Sequence, residues 1–193
     1  MALSAGTKNI RTAVFISGKG SNLKSLIKFS RLKKSPIIIE IIISNNNKSK
    51  GLVFGKIYKI KKKVFDFNKQ TKAEKNILNI LKKKNINLIC LAGFMKILSK
   101  NFINNFKGPI LNIHPSLLPN YRGLNTHERA IKNKDKYSGC TVHFVTSKLD
   151  SGKIINQKKV KIGKKDTPKT LAKKILAQEH KLYPQAILKI FSL

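Results

Sequence analysis

Four short runs constrain this chain most: TAVFIS at 12–17, PIIIEIIIS at 36–44, NLICLAG at 87–93 and PILNIH at 109–114. Each is almost continuously apolar and rich in β-branched residues. That pattern predicts strands covered on both faces, as in a parallel sheet. The segments between them carry helical spacing. SNLKSLIKF places Leu23, Leu26 and Ile27 on one face, and Ile77, Leu78 and Leu81 share another. Thr71 and Glu74 read as a T-x-x-E capping box opening that second helix. A further helix is expected from about Lys50 to Lys59, and a short strand around Val64 and Phe65.

Alternating strands and helices specify an α/β, doubly wound, mostly parallel sheet of Rossmann-like type. TVHFVTS (141–147) and KIINQKKVKI (153–162) alternate polar with apolar residues and are expected to pair as an antiparallel edge. Thr167 and Pro168 form an N-cap and first-turn pair, opening a last helix through Leu171, Ile175, Leu182 and Ile187. No repeat or linker interrupts the pattern. The expectation is one domain over 1–193, with 1–10 as a short N-terminal extension.

Charge gives the first functional question. Forty-one basic residues face eight acidic ones, a formal charge of +33. Such a balance fits a nucleic-acid binder. The basic residues are almost all Lys, however, with Arg only at 11, 31, 122 and 129. Sequence-reading contacts favour the forked guanidinium. The lysines are also scattered, among many Asn and Ile residues, so a compositional bias explains them without a polyanion. No specific nucleic-acid partner is expected. Cys90 and Cys140 sit inside apolar segments without metal-ligand spacing and read as reduced core thiols. No metal is expected. The N-terminus lacks a signal-peptide core, and IIIEIII (37–43) is too short to span a membrane. A cytoplasmic protein with no membrane partner follows.

Ligands of open α/β sheets bind outside the carboxyl ends of the strands. The places to search are therefore the positions after Ser17, Ala92, Asn112 and Thr146. In ISGKGSNLKSL, Gly18 and Gly20 permit a tight turn, and Ser21 and Asn22 are placed to cap a helix whose N–H groups suit a phosphate. In AGFMKIL, Phe94, Met95, Ile97 and Leu98 offer an apolar wall to a flat ligand. Asn112 and His114 alternate along a strand and so project from one side. An amide can donate to a developing oxyanion and an imidazole can move a proton. Pro115 and Pro119 restrict the loop that follows. Asp150, before Ser151 and Gly152 in a turn, is expected to raise the pKa of His114 if the two meet.

Together the stretches ISGKGSN, LAGFMKILS, LNIHPSLLPNYRGLNTHERAI, GCTVHFVTSKLDSGKII and QEHKLYP resemble the phosphoribosylglycinamide formyltransferase family, from about Arg11 to Ile190. The resemblance implies the Rossmann-like formyltransferase fold and transfer of the formyl group of 10-formyltetrahydrofolate to the amine of glycinamide ribonucleotide in purine synthesis. It implies that Gly20, Ser21, Asn22 and Glu179 bind the ribonucleotide. Met95, Lys96, Ile97 and Leu98 are implied to hold the folate, with Thr146, Ser147, Lys148 and Leu149 beside its pterin. Asn112, protonated His114 and Asp150 would carry the chemistry, Asp150 tuning His114 and holding a water that passes the proton on. The expected state is a monomer or weak homodimer acting on small molecules.

Some positions depart from the family pattern. Gln70, with Lys69 beside it, falls where the family often has arginine, and Lys96 replaces another common arginine. Methionyl-tRNA formyltransferase is the main alternative, but it implies a second β-barrel domain for which 193 residues leave no room. Formyltetrahydrofolate deformylase implies an N-terminal regulatory domain, which a first strand at Thr12 leaves out. A reading from another class is a basic nucleic-acid-binding protein on a degenerate formyltransferase scaffold.

Overall fold

The apolar runs assemble into one seven-stranded sheet in the computed structural model, which describes residues 10–191. The strands are β1 (Ile10–Ile16), β2 (Ile37–Ser44), β3 (Lys61–Val64), β4 (Leu88–Leu91), β5 (Ile110–His114), β6 (Tyr137–Phe144) and β7 (Ile154–Lys161). Their spatial order is β3-β2-β1-β4-β5-β6-β7. The first five run parallel, and β6 and β7 are antiparallel, as the alternating pattern required. The expected extension over 1–10 lies outside the described residues, except for Ile10, which opens β1.

Among the described residues six α-helices flank the sheet: α1 (Ser21–Ser30), α2 (Val53–Ile57), α3 (Gln70–Lys83), α4 (Lys100–Asn105), α5 (Thr126–Lys132) and α6 (Pro168–Phe191). Side-chain alternation along the strands divides the core in two. Val14, Ile16, Cys90 and Leu111 pack with Leu23, Leu26 and Ile27 of α1 and with Leu171, Ile175 and Tyr183 of α6. Ala13, Phe15, Ile89 and Ile110 pack on the other side with Ile77 and Leu81 of α3 and Phe102 of α4. Each fully buried Leu or Ile contributes about 1.5–3 kcal/mol. Buried Tyr183 donates to the carbonyls of Leu91 (3.2 Å) and Leu111 (3.0 Å), tying α6 across β4 and β5. Both outer strands carry exposed lysines, Lys61–63 on β3 and Lys158, Lys159 and Lys161 on β7. Charge at a sheet edge discourages pairing with other chains.

Two local expectations change. Thr71 lies inside α3 and caps nothing. Glu74 is instead drawn away to the start of α4, where it accepts from the Ser99 N–H (2.9 Å) and the Ser99 hydroxyl while Ser99 itself caps α4. Those two donors, with Gln70 Nε2 at 2.9 Å, outcompete the reciprocal box. Asn22 likewise does not cap α1. Gly20 is the N-cap, at φ 74°, and no side chain caps the helix. A Cβ at Gly20 would stand 2.7 Å from the Gly51 Cα, so both the left-handed backbone and the close approach require glycine. The Thr167 N-cap is present, its hydroxyl accepting from Thr170 N–H at 3.2 Å.

Candidate active site

A cleft of about 920 Å³ opens where strand order reverses, beside the carboxyl ends of β4 and β5 and the first turn of α1. Asn112 and His114 lie on the same face as Ile110, where α3 and α4 no longer cover the sheet. The segment after β6 covers it instead. Because β6 is antiparallel, Phe144 pairs with Leu111, and Val145 N–H donates to the Ile110 carbonyl at 2.8 Å. The segment after Thr146 begins near the opposite end of β5, yet it lines the cleft as the rule of carboxyl ends anticipated. Residues 145–150 run back over the exposed face and bring Asp150 to the Asn/His pair.

Asp150 sits at the centre of four contacts. Its Oδ2 accepts from the Gly123 N–H at 2.9 Å and lies 3.3 Å from His114 Nδ1. Its Oδ1 lies 3.4 Å from Asn112 Nδ2 and 3.5 Å from His143 Nε2. A carboxylate only accepts, so the Asn112 NH2 must face it. These amide bonds are long, and Asn112 can turn a hydrogen toward a ligand oxygen at small cost. The Asp150 side chain is only 8% exposed. Burial raises its pKa, but the hydrogen bonds of His143 and Gly123 and the charge of His114 outweigh it and hold the carboxyl below its ordinary range.

His114 behaves otherwise than expected. Burial pulls its pKa below the ordinary imidazole value, and the Tyr121 carbonyl and Asp150 do not offset that loss of solvation. The ring Nε2 is committed to the Tyr121 carbonyl at 2.8 Å. A main-chain carbonyl and an ionised carboxylate both only accept, so each ring nitrogen of His114 faces an acceptor and the two together suit the imidazolium form.

The apolar wall is present as well. Met95 (67% exposed), Ile97 (65%), Leu124 (73%) and Leu149 (50%) all line the cleft. Large exposed apolar side chains gathered in one concavity mark a surface that a ligand covers. At the opposite wall Asn22 Nδ2 donates to Glu179 Oε2 at 2.6 Å, while Asn22 Oδ1 is buried without a partner. An orphaned buried acceptor awaits a donor from outside the chain. Burial raises the Glu179 pKa more than the Asn22 hydrogen bond lowers it.

A family model described as formyl transferase matches residues 10–187. The chain belongs to that family. A phosphoribosylglycinamide formyltransferase of Haemophilus influenzae is 41% identical over 180 residues, covering 92% of this chain and 85% of that protein. The human trifunctional purine biosynthetic protein adenosine-3 is 40% identical over 183 residues, 93% of this chain. This chain spans 18% of that longer protein. Among solved structures, phosphoribosylglycinamide formyltransferase from Brucella melitensis superposes with a TM-score of 0.91 at 40% identity, covering 96% of this chain and 97% of the other.

Within this formyl transferase, thirteen of the expected site residues line one cleft: Asn112, His114, Asp150, Asn22, Glu179, Met95 to Leu98 and Thr146 to Leu149. Gly20 and Ser21 stand outside its lining, at the start of α1. Lys69 and Gln70 are outside it too. Gln70 Nε2 is spent on the Ile97 carbonyl (2.9 Å) and Glu74, so it braces the apolar wall from behind. Lys96 faces both this cleft and a smaller polar one of about 610 Å³ floored by Asn45, Asn46 and Asp66. Sequence reasoning missed His143, which pairs directly with Asn112 across β5 and β6. The antiparallel edge read from TVHFVTS contained the signal, since strand alternation sets His143 beside Thr141 on one face.

Proposed function

We propose that this formyl transferase transfers the formyl group of 10-formyltetrahydrofolate to the amine of glycinamide ribonucleotide, a step of purine synthesis, as a single domain acting on small molecules in the cytoplasm. The observation that carries the reading is one cleft joining an amide–imidazole–carboxylate cluster to an apolar wall and to an uncapped helix N-terminus. The names of the 40–41% identical relatives and of the superposing structure support the same reading.

The folate supplies an activated formyl group when bound. Met95, Ile97, Leu98 and Leu149 would hold its flat body, with Thr146, Ser147 and Lys148 at the same wall and Lys96 at the mouth. The ribonucleotide would set its phosphate at the first turn of α1 (Gly20, Ser21), where free N–H groups and the helix dipole favour anions. Asn22 and Glu179 would meet its polar groups. Asn112 donates to the formyl oxygen as negative charge develops there. As the amine attacks the formyl carbon and the bond to the folate nitrogen breaks, the amine's proton passes by way of His114 to that leaving nitrogen. The imidazolium so formed lies between the Tyr121 carbonyl and ionised Asp150, which stabilise it.

The test offers 10-formyltetrahydrofolate with glycinamide ribonucleotide and with charged initiator tRNA in parallel. Transfer to the ribonucleotide is expected, and His114→Ala is expected to lose it almost entirely. Transfer to tRNA alone would reassign the acceptor. Transfer to neither, with salt-sensitive polyanion binding, would favour a decayed scaffold.

A further inference from the structure

Ser17 stands where β1 leaves the sheet, and no role given above uses it. Its hydroxyl nevertheless joins three segments beside the cleft. It donates to Asn45 Oδ1 at 2.5 Å and accepts from the Met95 N–H at 2.7 Å. The Ser17 N–H donates to the Gly93 carbonyl at 3.1 Å. Residues 93–95 are thus bonded to Ser17 at both ends. Gly93, at φ 76°, makes the turn from β4 into the apolar wall.

A hydroxyl has one hydrogen. With that hydrogen held by Asn45, the lone pairs of Ser17 are left for Met95. Donation to Asn45 also strengthens the oxygen as an acceptor. Asn45 sits in a turn that is itself fixed. Ser44, fully buried, donates to the Asn46 carbonyl at 3.0 Å and accepts from the Asn46 N–H at 3.1 Å. Further along, Ser49 Oγ (2.8 Å) and the Gly51 N–H (3.0 Å) both donate to the Gly18 carbonyl. The turn from Gly18 to Gly20 is therefore held from the side of β2, while Ser17 reaches across to the end of β4.

The apolar wall needs such a hold. Met95 and Ile97 are exposed, so core packing does not fix them. Gln70 braces the far end through the Ile97 carbonyl. The near end is bonded to Ser17.

We infer that Ser17 is a positioning residue for the apolar wall. Its hydroxyl, oriented by Asn45, pins the Met95 backbone and sets the wall in register with the turn at the start of α1. The kinetic arm of the test rests on the proposed folate reaction, and the exchange arm does not.

Amide hydrogen exchange, read by NMR, reports the pin directly. The Met95 N–H is expected to exchange slowly in the unmodified protein although its residue is exposed. Ser17→Ala is expected to speed that exchange about tenfold or more, and Ser17→Thr, which keeps a hydroxyl, to restore the protection. In steady-state kinetics Ser17→Ala is expected to raise the KM for 10-formyltetrahydrofolate about 3- to 10-fold, the range of one neutral hydrogen bond, with kcat and the KM for the ribonucleotide nearly unchanged. Asn45→Ala leaves the hydroxyl free to rotate and is expected to shift both readouts the same way by less, so it carries the test if Ser17→Ala does not fold. Rapid exchange at Met95 in the unmodified protein overturns the inference. So does a Ser17→Ala variant that raises both KM values equally or loses kcat alone, since the damage would then not lie at the wall. If the unmodified protein transfers no formyl group, the reaction assigned above is wrong, and exchange at Met95 alone decides the role of Ser17.

Discussion

Asp150 and Glu179 face the same cleft from opposite walls, and their environments push them apart. Asp150 accepts from the Gly123 N–H and the Asn112 amide and lies beside two imidazoles, His114 and His143. Its carboxyl is held below the ordinary range. Glu179 is buried on α6 with one donor, Asn22 Nδ2, and burial wins, raising its pKa. Two carboxyl groups separated in this way usually have separate tasks. Asp150 is built to stay charged and to stabilise a neighbouring cation. Glu179, buried with a single donor, holds its charge less readily. The two can be tested with the same isosteric change.

The largest effect is expected from Asp150→Asn. It keeps the shape but removes the charge that stabilises the imidazolium of His114. Turnover should fall on the order of 10³-fold or more, as when a triad carboxylate is neutralised. Steady-state kinetics with an unchanged circular dichroism spectrum would check it. Asn112→Ala comes next. Losing one oxyanion donor typically costs about 2.7–4 kcal/mol of barrier. The loss should appear in kcat and leave KM largely alone. A shift confined to KM would place Asn112 in binding and remove it from the chemistry.

Glu179→Gln should do far less. The amide keeps an acceptor for Asn22 and resembles the neutral acid. We expect the KM for the ribonucleotide to rise a few-fold and kcat to hold, in the range of one neutral hydrogen bond, about 0.5–1.5 kcal/mol. If Glu179→Gln proved as damaging as Asp150→Asn, the distinction between the two carboxyls would collapse.

That distinction also marks what the sequence can express. Strands β1, β2, β4 and β5 were legible because unbroken apolar runs admit few alternatives, and the antiparallel edge because 141–147 and 153–162 alternate, whereas the lysine-rich β3 was placed only around Val64 and Phe65 and lies at Lys61–Val64. The same-face pair of Asn112 and His114 followed from strand periodicity alone. What failed needed competition between partners. Thr71 and Glu74 have the spacing of a capping box, but Ser99, 25 residues away, claims the glutamate. The alternation of 141–147 set the face of His143, but only the register of β6 on β5 brings it opposite Asn112. The approach of Asp150 to His114 crosses 36 residues and was implied only by family resemblance. The direction of the His114 pKa shift was misread, since residue types name the neighbouring charge but not the depth of burial that outweighs it. The helices α4 and α5, six and seven residues long, are too short to leave a periodic signal.

The smallest expected effect is the most direct measure of the contrast. A carboxyl whose pKa is raised on folding binds its proton more tightly in the native state than in the unfolded chain. Its contribution to stability is then fully present below the unfolded value, near pH 4.3 for Glu, and is lost as pH rises through the folded value. For Glu179 the sign is therefore unfavourable at neutral pH. Asp150 has the reverse sign: its depressed pKa contributes stability above the unfolded value, lost as pH falls. Urea unfolding of Glu179→Gln, Asp150→Asn and the unmodified protein, from pH 7 down through the unfolded carboxyl values near pH 4 and on to about pH 2.5, separates these terms. Glu179→Gln should gain on the parent at pH 7, and the gain should shrink toward pH 4 as Glu179 becomes protonated in both states. Asp150→Asn should show the opposite trend, weaker than the parent at pH 7 and converging with it in acid. Parallel pH profiles for the two variants would mean that both carboxyls share one electrostatic environment, and the separate roles assigned to the two walls of the cleft would fail with that result.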